Sequence, residues 1–225
     1  MEKRGRALQI LTDYQRVALT DVSPATEDIL ADVTRKLERF TDYSDPAIRV
    51  RFDALLLQTL WFLEIRMDLT KQNAPRLDYL FEPATGAALP KEERLQTDYY
   101  EFLVGNLASS VKVEVSDVAS GRVDVYINFG NLRFSVEVKR DETDCSFPAL
   151  RRKYLGQAAE YSNTNARLGL LLVLDLTPKP HGAGDMRNKV AVESVMTPGD
   201  REPRGIVLVT VPGRRRTPRS VVAGS

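Results

Sequence analysis

Asp124, Glu137 and Lys139 stand in the stretch GRVDVYINFGNLRFSVEVKRD, residues 121–141, at a spacing that suits metal-assisted hydrolysis. From 122 to 129, Val123, Val125, Ile127 and Phe129 alternate with Arg122, Asp124, Tyr126 and Asn128. From 132 to 139, Leu132, Phe134, Val136 and Val138 alternate with Arg133, Ser135, Glu137 and Lys139. Period two over that length predicts two strands, and the Gly130-Asn131 pair between them predicts a hairpin turn. Asp124 then lies on the polar face of the first strand, with Glu137 and Lys139 on the same face of the second. Two carboxylates and the backbone carbonyl of Val138 make an all-oxygen set suited to a hard divalent cation, Mg²⁺, with Mn²⁺ as its substitute. Lys139 projects to the same side, where its ammonium can steer an attacking water or offset charge building on a phosphate. That is an apparatus for phosphodiester hydrolysis. The plainer alternative is a solvated sheet face on which Lys139 makes a cross-strand ion pair.

Composition bounds the chemistry further. A chain of 225 residues suits one domain of moderate size, or a core domain with a smaller companion. A formal net charge of +1 means that nucleic-acid contact must come from local basic patches rather than a global field. The single Cys145 excludes an internal disulfide framework and a multi-Cys zinc site, and the single His181 excludes a His-rich nuclease centre. There is no Gly-x-Ser-x-Gly elbow and no phosphate-cradling G-x-x-x-x-G-K-[ST] loop. Residues 1–15 lack a sustained apolar run, so no secretory signal is expected and a cytoplasmic location is.

The elements that must position the polar trio follow in order. Leu8, Leu11, Tyr14 and Val17 predict a helix over 6–20. Ser23-Pro24 and Asp45-Pro46 each read as N-cap plus first helical residue, starting one helix that buries Ile29, Leu30, Val33, Leu37 and Phe40 and a longer one reaching about residue 69. The apolar centre of the second is too short and too hemmed by charge to span a bilayer, so Trp61 is expected to pack in a core. Prolines at 75, 83 and 90 break periodicity and mark a connector over 71–90. A helix over 91–109, a strand over 111–115 and the hairpin follow. Pro148 opens a helix to about 163, LGLLLVLDL at 168–176 reads as a strand covered on both faces, 189–196 stays open in type, and 205–211 is a last strand before the basic run GRRRTPRS.

Helix, three strands, helix, strand, with Asp124 and then Glu137-Val138-Lys139, resembles the PD-(D/E)XK nuclease superfamily of restriction-endonuclease-like folds. Gln157-Ala158-Ala159-Glu160-Tyr161 looks like the QxxxY element that follows the catalytic lysine in its RecB-type members. The likeness covers about residues 91–211. It implies an α/β three-layer sandwich with a mixed central sheet over 89–225, ending in a basic tail, preceded by a helical region over 1–88. It implies a Mg²⁺-dependent nuclease acting on DNA, of the kind that serves defence against foreign DNA or repair, with Asp124, Glu137 and the Val138 carbonyl on the metal. Lys139 would activate water, and Gln157 and Tyr161, four apart on one helix face, would support the site. The superfamily's proline is absent, since Val123 precedes Asp124. The helix before the first strand often adds an acidic residue; Glu93, Asp98 and Glu101 compete for that place, and Glu93 is preferred.

Arg140, Arg151 and Lys153 are candidate nucleic-acid contacts, as is the arginine run near the C-terminus, each equally readable as a solvated face. Cys145 reads as a loop or buried side chain, not a nucleophile. The helical region would serve as a dimerising, regulatory-partner or DNA-positioning module, without a membrane. The rival is a nuclease-fold protein that has lost activity and works as a binding or sensing module.

Overall fold

The alternating runs form the central strands. β1 (Lys112–Val118), β2 (Arg122–Phe129) and β3 (Leu132–Asp141) are an antiparallel meander, and β4 (Leu168–Asp175) and β6 (Arg204–Pro212) continue the sheet parallel to β3. β5 (Val190–Val195) closes the far edge antiparallel to β6, giving the order β1-β2-β3-β4-β6-β5. The computed structural model describes residues 22–72, 75–107, 111–118, 122–161, 166–179 and 182–216; the side chains of 115–118, 122–124, 160 and 161 lie outside that description, as does the helix expected over 6–20.

Both expected N-caps form. Ser23 accepts from the Thr26 amide at 3.3 Å and opens α1 (Pro24–Leu37); Asp45 accepts from the Ala47 amide at 2.7 Å and opens α2 (Pro46–Asp68). α3 (Glu92–Asn106) precedes the meander, and α4 (Phe147–Tyr161) crosses from β3 to β4. The sheet sits between two helical layers. α1, α2 and α3 pack on one side and α4 on the other. The α/β sandwich with a mixed sheet is therefore present. No helix among the described residues is long and apolar enough to cross a membrane.

One cluster unites residues from both sides of the boundary expected near 88. Leu37, Phe52, Leu56 and Leu63 from the helices join Val125, Ile127, Phe134, Val136 and Leu172 from the strands. Each such side chain, taken fully out of water, stabilises by about 1.5–3 kcal/mol. A buried network fastens the two parts. Arg66 of α2 donates to both carboxylate oxygens of Asp98 in α3, at 2.8 and 2.7 Å, and the Tyr79 hydroxyl donates to the same carboxylate at 2.6 Å. Trp61 packs edge-on against Phe102 with ring centres 5.7 Å apart, as a packing residue would.

β5 emerges from the segment whose type the sequence leaves open. It is an edge strand whose residues after Val190 are half-buried, without the strict alternation that marks a strand in sequence. Gly205 in β6 is needed for close approach, since a Cβ there would lie 2.9 Å from the Phe40 ring. The basic run is engaged in the fold before residue 217. Arg215 is buried, donates to the Met67 carbonyl at 2.7 Å and pairs with Phe81 in an isolated bridge, while Arg214 and Arg216 reach Glu82.

Candidate active site

The strand pair brings Asp124 and Glu137 together by register: they are directly opposed residues in the β2–β3 ladder, and that ladder ends with them. The turn responsible has Gly130 at φ +66°, the left-handed conformation a two-residue hairpin needs at its first central position. Val136 and Val138 face the α2–α3 side, so alternation sends Glu137 and Lys139 toward the α4 side. Glu137 is 1% exposed and Lys139 9%, and the two form an ion pair. Desolvating a charged pair this deep is costly, and the attraction between the two offsets that cost only when geometry and further hydrogen bonds are good.

The backbone at this point is also distinctive. The Asp141 carbonyl accepts from the Leu176 amide at 2.8 Å, on the β4 side. Strand alternation therefore turns the carbonyls of Val138 and Arg140 the other way, toward β2 and beyond its last rung. The Arg140 carbonyl accepts the Tyr154 hydroxyl at 3.2 Å, as a carbonyl not taken by a neighbouring strand can. Val138 presents its carbonyl at the same edge, between Glu137 and Lys139.

A third acidic residue comes from α3, and it is Glu92. Its carboxyl is pushed up by burial and by the negative charges of Glu93 and Glu137, against the pull of Lys139 and Arg140. The α3 start is held to β3 by the Arg140 guanidinium, which donates to the Pro90 carbonyl at 3.0 Å. Glu93 is exposed, Glu101 is exposed, and Asp98 is consumed by Arg66 and Tyr79. Sequence reading passed over Glu92, although it lies one turn before Gln96 on a stripe continuing through Tyr99 and Leu103; Glu93 is rotated about 100° off that stripe.

α4 is pinned over the end of β3. Lys153 donates to the Asp141 carboxylate at 2.6 Å and the Thr143 hydroxyl at 2.8 Å, and the Tyr154 hydroxyl reaches the same carboxylate at 3.0 Å. Burial opposes ionisation of Asp141, yet donation from Lys153, Thr143 and Asp144 holds its carboxyl well below the usual range. Burial and that carboxylate push the Tyr154 hydroxyl up to about 12. Gln157 follows half-buried one turn later; Tyr161 ends the helix, with its side chain outside the description. An open depression of about 230 Å³ is lined by Arg140, Asp141, Glu142, Thr143, Lys153 and Tyr154.

The expected phosphate contacts all have partners within the chain: Arg140 with Pro90, Lys153 with Asp141, and Arg151 with Glu193 at 3.4 Å. Cys145 donates weakly to the Asp141 carbonyl at 3.4 Å, and burial together with nearby Asp175 pushes its thiol far up, so it is no nucleophile. His181 lies outside the described residues.

Among the described residues no group of three or more acidic, His or Cys side chains forms a metal cluster. The donor chemistry nonetheless suits a hard cation. Glu137 and Glu92 are two carboxylates, and strand alternation turns the Val138 carbonyl toward β2, past the last rung of the ladder. No family model, no curated protein and no solved structure matches this chain, so the reading of the site rests on its own residues.

Proposed function

We propose that this protein is a metal-dependent nuclease that hydrolyses phosphodiester bonds, with DNA as its substrate. One observation carries the reading: the β2–β3 ladder stops at the rung joining Asp124 to Glu137, and Lys139 is buried against Glu137 just past it. Asp124, Glu137 and the Val138 carbonyl would hold the cation, with Glu92 as neighbouring carboxylate. When bound, Mg²⁺ supplies a Lewis acid for the phosphate and a lowered pKa for the attacking water. Lys139, kept in place by Glu137, presents a positive charge where the water and a phosphate oxygen would meet. α4, pinned through Lys153 and Tyr154, sets the height of Gln157 above that point.

The test is cleavage of plasmid and oligonucleotide DNA with Mg²⁺ or Mn²⁺, comparing wild type with Glu137→Gln, Glu137→Ala and Lys139→Met. Each variant is expected to lose at least 100-fold in rate, on the order of what removal of one transition-state stabiliser costs. Circular dichroism and thermal melting establish that the variants are folded. Cleavage surviving in folded Glu137→Gln and Lys139→Met overturns the assignment, and its absence in wild type under both metals supports the non-catalytic binding module instead.

A further inference from the structure

The two helical layers do not cover the sheet equally. α3 lies over β1, β2 and β3 on one side, whereas α4 on the other side lies over β3, β4, β6 and β5. Among the described residues, the α4 side of β1 and β2 is therefore not roofed by a helix. Register sets three rows across this side of the meander: Lys112, Asn128 and Arg133; then Glu114, Tyr126 and Ser135; then Ser116, Asp124 and Glu137. Ser135 and Glu137 are buried on the α4 side, so the open part is β1, β2 and Arg133. Val125 and Ile127 are fully buried on the opposite side, which assigns Tyr126 and Asn128, both half-buried, to the open one. The Arg133 guanidinium lies over the Tyr126 ring, 3.7 Å from its centre, with Glu114 at 3.9 Å. Its side chain is 45% exposed.

We propose that this open face is a landing platform for single-stranded nucleic acid, on which the Arg133 guanidinium, held flat by Tyr126, serves as a stacking plane for a base. This inference rests on the nuclease reading and specifies its substrate form. An arginine on an exposed sheet ordinarily extends into water; here the ring beneath it fixes the plane in advance, and bases stack well on guanidinium planes and aromatic rings. Stacking needs an unpaired base, because duplex DNA buries its base faces. Charge runs the right way along the face. Lys112 and Arg133 lie in the row farthest from the site, where they attract the backbone, with Glu114 in the middle row and Glu137 in the row nearest the site. Arg133 precedes Glu137 by four residues on one strand, about 13 Å, so the base held at Arg133 belongs to a nucleotide near the cleaved bond but not at it.

The test is fluorescence anisotropy of a labelled oligonucleotide, single-stranded or annealed to its complement, with the full chain in EDTA so that hydrolysis is silent. Wild type is expected to bind the single strand at least 10-fold tighter than the duplex. Arg133→Ala and Arg133→Lys should both weaken single-strand binding on the order of 10-fold, because lysine keeps the charge and loses the plane. Tyr126→Leu should weaken it several-fold by releasing the guanidinium. Equal affinity for duplex, wild-type binding in Arg133→Ala, full rescue by Arg133→Lys, or no binding by the wild type would each overturn the platform. The two readings separate cleanly. Arg133-dependent binding without any cleavage sinks the hydrolase and keeps the platform; Glu137-dependent cleavage with normal binding by Arg133→Ala does the reverse.

Discussion

The neighbouring ends of β3 and β4 carry the same clasp, used for different ends. Both strands finish in Asp-x-Thr, and in both the Asp carboxylate accepts from the Thr backbone amide, from the Thr hydroxyl and from a lysine. At β4 the lysine is Lys179, four residues along. It donates to the carboxylate at 2.7 Å, the Asp175 carbonyl at 3.1 Å, and the Thr177 carbonyl and hydroxyl at 2.7 and 3.0 Å, and its side chain is 7% exposed. At β3 the lysine is Lys153, which arrives from α4 with its side chain 36% exposed, and Tyr154 joins it. The first clasp closes a turn on itself. The second fastens a helix to a strand, and that helix carries Gln157 while the strand carries Glu137 and Lys139. One unit of turn chemistry thus closes a turn in one place and, on the proposed nuclease reading, positions the site in the other.

Removing the lysines should expose the difference. Lys179→Met leaves the buried Asp175 carboxylate without its cation, keeping the Thr177 amide and hydroxyl, and should cost about 3–5 kcal/mol in urea or thermal unfolding. Lys153→Met should cost about 1 kcal/mol or less, since Asp141 keeps two backbone amides, the Thr143 hydroxyl and Tyr154. Its effect on cleavage should exceed its effect on stability, about 10-fold in kcat at constant fold, as α4 loosens over the site. Equal losses of stability in the two variants would erase the distinction. The smallest effect is on pH dependence. Burial opposes ionisation at Asp175, but Lys179 and Thr177 hold its carboxyl low, as Lys153, Thr143 and Asp144 hold Asp141. Both carboxyls titrate below the unfolded value of about 3.9, so their contribution is complete above it and fades as pH falls through the folded values. Asp141→Asn should therefore lower stability at neutral pH, where the carboxylate's contribution is complete, and flatten the loss of stability that follows as pH falls below the unfolded value.

How much of this was legible in the sequence differs from element to element. The hairpin was, because Val123 to Phe129 and Leu132 to Val138 alternate without a break and Gly130-Asn131 allows one tight turn. The capped starts at Pro24 and Pro46 were, because a cap is a local event. Glu92 was not, because choosing among adjacent acids requires the phase of α3 to within one residue, and Leu95, Tyr99, Phe102 and Leu103 permit more than one phase. The pairing of Lys153 with Asp141 was not, since a helix must fold back before the two can meet. Nor was the shared core: prolines at 75, 83 and 90 look like a linker, yet Leu80, Phe81 and Tyr79 within that connector are buried. Arg66 and Asp98 gave no local sign of each other at all.

On the proposed reading, the hairpin makes the chemistry depend on a distant turn. Asp124 and Glu137 stand equally far from Gly130-Asn131, about 20 Å along their strands. Lengthening that loop by a single residue on one side would slide β2 past β3 and invert which of its residues look toward α4. The acids would be separated with no atom of the pocket altered, so tolerance to insertion at the tip reports whether that alignment is needed.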